Sequence, residues 1–140
     1  MVDYVLAMDD VQVETSFYIK EDNIFVSGNV FIETGLIENA AQTCSSIAAK
    51  DYFTDIDDPA SASVVGFISS VKTLKLYAMP KVGETIITRA LCLSKFVSDE
   101  YSLCTMQFTT LHNEVLLLEG EINLYIQEHM KSKEAAAPAS

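Results

Sequence analysis

Residues 33–53 read ETGLIENAAQTCSSIAAKDYF, and the rest of the fold is inferred outward from this stretch. It contains no proline and is rich in alanine, the residue with the highest helix propensity. We expect Thr34 to cap the first turn, and Glu33 places a negative charge at the positive end of the helix dipole. The stretch therefore predicts one long helix over residues 33–53.

The predicted helix has one face of small apolar side chains. At about 100° per residue, the side chains that share this face are Ile37, Ala40, Ala41, Cys44, Ile47 and Ala48. Glu38 and Gln42 fall at its border, whereas Asn39 and Ser46 are expected on a polar face exposed to solvent. Because the apolar side chains are mostly small, a second layer of structure can approach this helix closely.

Alternating apolar and polar residues predict strands over most of the remaining chain. We expect them at residues 4–8, 11–17, 24–26, 64–76, 85–96, 101–111 and 115–127. Residues 54–63 are expected to form an acidic loop and residues 131–140 a disordered tail, which leaves one domain over residues 1–130. Antiparallel strands in series with one helix indicate an α+β protein in which a sheet wraps around the helix. Edge strands of such a sheet are commonly covered by another subunit, so a homodimer or higher oligomer is expected.

Composition excludes several classes of protein. Of the 140 residues, 49% are hydrophobic and 21% charged, which is typical of a globular chain. No apolar run approaches the roughly 20 residues of a membrane span, and the first residues lack the features of a signal peptide, so a cytoplasmic protein without membrane contact is expected. Cys44, Cys92 and Cys104 are scattered in apolar surroundings, which predicts buried free thiols. No metal site is indicated by the spacing of cysteine and histidine, and no cofactor is expected.

The charge distribution is uneven. The net charge of −11 argues against a nucleic-acid partner, which would require a basic surface. Residues 61–96 nevertheless carry five basic residues and one acid, a local charge of +4. Lys72, Lys75 and Lys81 lie in this basic segment and are candidates for docking an anionic group or an acidic partner. The alternative interpretation is that they are solvated lysines on the faces of strands.

Two segments in this order resemble the hotdog-fold β-hydroxyacyl–acyl-carrier-protein dehydratases of fatty-acid and polyene biosynthesis. Residues 35–42 (GLIENAAQ) are similar to the start of the family's central helix, in which a catalytic Glu precedes a Gln by four residues. Residues 65–67 (VGF) and 80–85 (PKVGET) are similar to the family's glycine-containing strand and its Pro-Gly-Asp turn. The resemblance extends over roughly residues 4–125 and implies a hotdog fold.

The resemblance also implies a site. Glu38 would be the catalytic acid and Gln42 its support, while the backbone N–H groups of Gly35 and Gly66 would bind the thioester carbonyl beside Phe67. The substrate would be an acyl thioester of acyl carrier protein or of coenzyme A. Lys72, Lys75 and Lys81 would then contact the acidic carrier protein or the phosphate of its phosphopantetheine arm.

One residue of the family site is replaced. Family members have a histidine as general base before the helix, whereas Asn29 occupies about that position here, within the shorter stretch 26–32 (VSGNVFI). An amide cannot abstract an α-proton. His112, at a predicted hairpin tip, and His129, after the last strand, are expected at the surface and so do not replace the missing base.

Three interpretations follow from this difference. The chain is a dehydratase whose base comes from elsewhere, or it is a hotdog thioesterase in which Glu38 activates a water molecule. Alternatively it is a non-catalytic acyl-binding subunit that forms a mixed dimer with another hotdog chain. The sequence leaves open which one applies, as well as the acyl chain length and the choice between carrier protein and coenzyme A.

Overall fold

A computed structural model describes residues 1–49 and 62–130. Its elements in chain order are β1 (Tyr4–Met8), β2 (Gln12–Tyr18), β3 (Val26–Ser27), β4 (Val30–Phe31), α1 (Glu33–Ala49), β5 (Ala62–Leu76), β6 (Thr85–Val97), β7 (Tyr101–His112) and β8 (Val115–Met130). The predicted strands therefore agree with the structure to within a few residues at each end. The predicted tail and all of the predicted acidic loop except its last two residues lie outside the described residues.

Six strands form an antiparallel sheet in the order β1-β2-β6-β7-β8-β5, and β3 pairs with β4 in a small separate hairpin. Helix α1 packs against one face of the sheet, where it contacts β2, β6, β7, β8 and β5. This arrangement confirms the predicted α+β architecture of a sheet wrapped around a helix. Strands β1 and β5 form the two edges of the sheet in a single chain.

Alternation along the strands separates the two faces of the sheet. Over residues 102–110 of β7 and 118–126 of β8, every second residue points toward the helix and is buried, namely Ser102, Cys104, Met106, Phe108, Thr110, Leu118, Gly120, Ile122, Leu124 and Ile126. The intervening residues within these two ranges are at least partly exposed on the opposite face, which is free of helix in the described residues. The core therefore lies in one layer between α1 and the sheet, as the two-residue period of a strand requires.

The start of the helix differs from the prediction in its cap. Helix α1 begins at Glu33 as predicted, but the preceding residue is Ile32, whose carbonyl accepts hydrogen bonds from the N–H groups of Gly35 (2.9 Å) and Leu36 (3.2 Å). Thr34 lies within the first turn and is exposed. The prediction that Thr34 caps the helix is therefore wrong, because the helix already includes this residue.

The buried face of α1 is also turned relative to the prediction. The buried residues are Gly35, Leu36, Asn39, Ala40, Thr43, Cys44 and Ile47, whereas Ile37 and Ala41 are only half-buried. Asn39, predicted to face solvent, is 1% exposed. The prediction was wrong because it assigned polar residues to the surface, whereas Asn39 and Thr43 have hydrogen-bonding partners on the sheet.

The three cysteines are free thiols, as expected. Cys44 and Cys104 are buried and Cys92 is half-buried. Burial raises the pKa of the Cys44 thiol to about 12, and the neighbouring Cys92 and Cys104 add to the effect. Cys44 is consequently a protonated, apolar core residue at neutral pH.

Two classes of feature are missing from the part of the chain that the structure describes. No group of three or more His, Cys, Asp or Glu side chains is arranged to bind a metal ion there. Helix α1 is neither long enough nor apolar enough to cross a membrane.

Candidate functional site

Glu38 and Gln42 form a hydrogen-bonded pair on α1. Gln42 Nε2 donates to Glu38 Oε1 over 2.9 Å, and Gln42 Oε1 is in contact with the amino group of Met1. Glu38 is exposed and Gln42 is half-buried. The structure therefore brings together the two helix residues that the sequence singled out, as the i, i+4 spacing on a helix requires. One carboxylate oxygen of Glu38 is held by the amide, and the side chain remains accessible to solvent.

A row of buried hydrogen bonds lies beneath this pair, between α1 and the sheet. Asn39 Nδ2 donates to the carbonyl of Met1 (2.8 Å), and Thr88 Oγ1 donates to Asn39 Oδ1 (2.6 Å). Thr88 Oγ1 is also 2.9 Å from Thr110 Oγ1. Asn39, Thr88 and Thr110 are each 1% exposed or less, so the hydrogen bonds that link these three residues are shielded from water. This row was not predicted from the sequence, although Thr88 and Thr110 occupy inward positions in the strand alternation.

A second buried hydroxyl pair joins the same helix to β2. Thr15 Oγ1 and Thr43 Oγ1 are 2.7 Å apart, and both side chains are fully buried. Among the described residues, no buried side-chain nitrogen or oxygen atom is without a hydrogen-bond partner. The polar atoms between helix and sheet are therefore fully satisfied, which is the condition under which they do not destabilise a core.

Gly35 is buried in the first turn of α1, where packing excludes any side chain. A Cβ atom at this position would lie 2.6 Å from Cζ of Phe31 and 2.7 Å from Cβ of Phe25. Its N–H donates to the carbonyl of Ile32 over 2.9 Å. The close aromatic packing is thus a structural reason for glycine, and a bond from its N–H to a thioester carbonyl would have to be shared with Ile32.

Asn29 lies in the two-residue turn of the β3–β4 hairpin. Gly28 and Asn29 both have positive φ angles, 60° and 67°, as the turn that best fits a two-residue hairpin requires. The side chain of Asn29 is exposed and makes no hydrogen bond within the described residues, while its carbonyl accepts from the N–H of Val82 at 3.1 Å. Because asparagine tolerates this left-handed conformation, the turn accounts for the residue without a catalytic role.

Gly66 and Phe67 lie on β5, where they pair with Ile126 and Tyr125 of β8. The side chain of Phe67 is outside the described part of the structure. Since β5 is an edge of the single-chain sheet, its other side is unpaired within the described residues. A contact between these two residues and a ligand stays a prediction.

Two of the three candidate docking lysines lie opposite acidic residues of β8. Lys72 Nζ forms an ion pair with Glu121 over 3.1 Å, and Lys75 is directly opposite Glu119 in the β5–β8 register. Lys81 is exposed and follows the buried Pro80 in the segment before β6. Neither Lys75 nor Lys81 forms an ion pair with another described residue. The positive potential of this segment is therefore weaker than its sequence suggests, because Glu121 neutralises the charge of Lys72. Lys75 and Lys81 contribute most of what remains.

His112 is only partly at the surface. It ends β7 with its side chain 23% exposed, its Nδ1 is 2.9 Å from the carbonyl oxygen of Thr85, and its Nε2 is 3.0 Å from Glu84 Oε2. Since both ring nitrogens have partners, neither is free to accept a proton from a substrate. The side chain of His112 is thus more buried than predicted. The partners of its two nitrogens support the conclusion that it is not the base. The side chain of His129 lies outside the described part of the chain.

A cavity of about 420 Å³ lies on the helix-free face of the sheet, away from the Glu38–Gln42 pair. Its lining includes Met8, Glu14, Arg89 and Gln107, and an ion pair between Arg89 and Glu14 (2.5 Å) crosses it. A cavity of about 310 Å³ on the same face is bordered by Phe96, Leu103 and Asn123. Neither of these two cavities is lined by Glu38 or Gln42.

Comparison with known proteins defines the fold. No protein-family model and no curated protein matches the chain. Among solved structures, the dehydratase heterocomplex ApeI:P from Xenorhabdus doucetiae superposes with a TM-score of 0.71 at 12% identity, covering 99% of this chain and 89% of that one. A hypothetical thioesterase with coenzyme A from Streptococcus pneumoniae TIGR4 gives 0.59 at 11% identity, covering 88% and 86%. The PaaI protein of the phenylacetic acid degradation operon of E. coli gives 0.59 at 9% identity, covering 86% and 80%. The chain therefore has the hotdog fold, and at these identities the likeness shows the fold alone.

Proposed function

We propose that this chain is a hotdog subunit that acts in the dehydration of β-hydroxyacyl thioesters carried by acyl carrier protein. The observation that carries the proposal is the accessible carboxylate of Glu38, one of whose oxygens is fixed by Gln42 at 2.9 Å. An acyl thioester of coenzyme A would present the same reactive group. The substrates would be cytoplasmic, in keeping with the location expected from the sequence.

Dehydration requires two proton transfers. A base removes the α-proton, the C–O bond to the β-hydroxyl breaks, and an acid protonates the departing oxygen to give water and a double bond. Glu38 in its protonated form would be this acid, since one carboxyl oxygen is held by Gln42 Nε2 and the other is free to face the substrate. Hydrogen-bond donors near the thioester carbonyl would stabilise the enolate that develops.

The base would come from a second hotdog chain. Asn29 has an amide, which cannot accept an α-proton, and both nitrogens of His112 are occupied. Edge strand β5 offers backbone groups on which a second chain could continue the sheet, and ApeI:P, the neighbour named above, is a heterocomplex. For dehydration we therefore propose a mixed dimer of this chain with an unlike hotdog chain that carries the histidine, because two copies of this chain would lack the base.

A thioesterase is the second candidate, favoured by the same exposed carboxylate. In that reaction Glu38 in its charged form would activate water for attack on the thioester carbonyl, the C–S bond would break, and no α-proton would be removed. The chain would then need no histidine. The dehydratase and the thioesterase would thus both depend on Glu38, and the product of the reaction distinguishes them.

The test is identification of the product by mass spectrometry. The chain is incubated alone with a β-hydroxyacyl carrier protein and, separately, with the matching coenzyme A thioester. Loss of one water from the acyl group supports the dehydratase, and release of free hydroxy acid supports the thioesterase. If neither occurs but the loaded carrier binds, a histidine-containing hotdog dehydratase subunit is added, and dehydration above that subunit's own rate supports the mixed dimer. If neither thioester binds, the proposal fails.

Charge reversal of the lysines tests docking of the carrier protein. We expect Lys75→Glu and Lys81→Glu to weaken carrier binding by roughly threefold to tenfold in total, because both charges are exposed and uncompensated by ion pairs in the described chain. Lys72→Glu is expected to have a smaller effect, since Glu121 already pairs with Lys72. Calorimetric titration of each variant with the carrier protein, at low and at high salt, measures the loss of affinity and its salt dependence. Unchanged affinity without salt dependence would exclude these lysines from docking.

A further inference from the structure

The hydrogen bonds beneath Glu38 have only one consistent direction. The carbonyl of Met1 can only accept, so the nitrogen of the Asn39 amide must face it and the oxygen must face Thr88. Thr88 therefore uses its single hydroxyl proton on Asn39, and it must accept the proton of Thr110. A directed chain of hydrogen bonds thus runs from β7 through β6 to α1.

This directed chain holds the rotation of α1 in addition to its packing. The helix buries the large side chains of Leu36 and Ile47, but between them it meets the sheet with the small Ala40 and Cys44, which interlock less with their neighbours. Turning the helix by one residue would carry Asn39 away from Thr88 and leave buried hydroxyl and amide groups without partners. Glu38 and Gln42 flank Asn39 along the helix, so the orientation of both follows from that of Asn39.

We infer that Asn39 is a positioning residue, which the directed hydrogen bonds from Thr110 and Thr88 hold so that Glu38 and Gln42 lie at the accessible border of α1. As regards catalysis, this inference rests on the proposed role of Glu38. Asn39 itself is buried, so its side chain would be out of reach of a substrate. It acts through the helix backbone on the carboxylate beside it.

Thr88→Val tests the inference with little change in side-chain size. Valine keeps the shape of threonine but removes both the donor to Asn39 and the acceptor for Thr110. We expect a kcat lowered by about tenfold with KM unchanged, because a small displacement of a catalytic group lowers the rate more than binding. Thr88→Ser retains the hydroxyl and is expected to keep near wild-type kcat.

Two comparisons separate positioning from general loosening of the core. Thr15→Val removes the other buried hydroxyl pair, with Thr43, which is not linked to Asn39, and is expected to leave kcat within about twofold of wild type. In the Glu38→Gln background, Thr88→Val is expected to cause no further loss, since it acts through Glu38. An equal loss in Thr15→Val, or a full additional loss in the double variant, would overturn the inference.

A readout without turnover keeps the inference testable if the proposed function fails. The side-chain amide resonances of Gln42 report its hydrogen bond to Glu38. In Thr88→Val they are expected to shift toward their positions in Glu38→Gln, while in Thr88→Ser they stay at the wild-type positions. Absence of turnover in the wild type would refute the proposed function alone. Gln42 resonances that do not move in a folded Thr88→Val protein would refute the positioning role.

Discussion

Replacing Glu38 with glutamine is expected to lower kcat on the acyl thioester by at least about 100-fold, with little change in binding of the acyl carrier. Glutamine keeps the size of the side chain and can still contact Gln42, but it can neither donate a carboxylic proton nor act as a base. The loss therefore falls on the chemical step, whether that step is dehydration or hydrolysis. Single-turnover kinetics with a mass-spectrometric readout measure kcat separately from binding.

Glu33→Gln is the matched control for this substitution. Glu33 is an exposed glutamate in the first turn of the same helix, so its replacement makes the same change in charge one and a half turns away. It is expected to keep kcat within about twofold, because the electrostatic effect of an exposed charge at a helix end falls off within one turn. If both variants lost activity equally, the effect would be electrostatic and not specific to Glu38. Full activity in Glu38→Gln would remove Glu38 from the mechanism.

Replacing Gly35 with alanine is expected to lower the free energy of unfolding by about 2 kcal/mol, although alanine is the better helix former. The added Cβ would lie 2.6 Å from Phe31 and 2.7 Å from Phe25, closer than van der Waals contact allows. Phe31 is fully buried, and its ring packs against Phe17 (centroids 5.8 Å apart) and Phe25 (6.5 Å apart, edge to face). The rings cannot move away without opening the core at the start of the helix.

Urea denaturation compares Gly35→Ala with Thr34→Ala, the adjacent exposed residue of the same turn. Thr34→Ala is expected to change stability by less than about 0.5 kcal/mol, because Thr34 is exposed and substitutions at the surface usually have small effects. A stabilised Gly35→Ala protein would contradict the packing seen around this glycine. A destabilised Thr34→Ala protein would show that the first turn is sensitive to any change.

Several features could be predicted from local sequence. Helix α1 begins at the predicted residue, Glu33, and the Glu38–Gln42 contact follows from their spacing of four on a helix. The long strands follow from the two-residue alternation, and β6, β7 and β8 begin where predicted, at Thr85, Tyr101 and Val115. The alternation of apolar residues and the spacing of four depend only on residues close in sequence, so both can be recognised without the tertiary structure.

The features that were missed depend on residues distant in sequence. The packing around Gly35 was missed, because Phe25 and Phe31 are brought against it by the tertiary structure, while its contact with a thioester stays a prediction. His112 does lie at the predicted hairpin tip, but its burial was missed, because Glu84, just before β6, and the carbonyl of Thr85 contact the two nitrogens of its ring. In each case the environment is supplied by another element.

The sequence by itself determined that one helix faces an antiparallel sheet, and that a glutamate and a glutamine lie one turn apart on that helix. Only the tertiary structure decided which side of the helix faces the sheet. The side that faces the sheet carries Asn39, which meets Thr88, 49 residues away, and Thr43, which meets Thr15, 28 residues away. Hydrophobic periodicity scores asparagine and threonine as surface residues, whereas a buried polar group is stable wherever the fold supplies its hydrogen-bond partner.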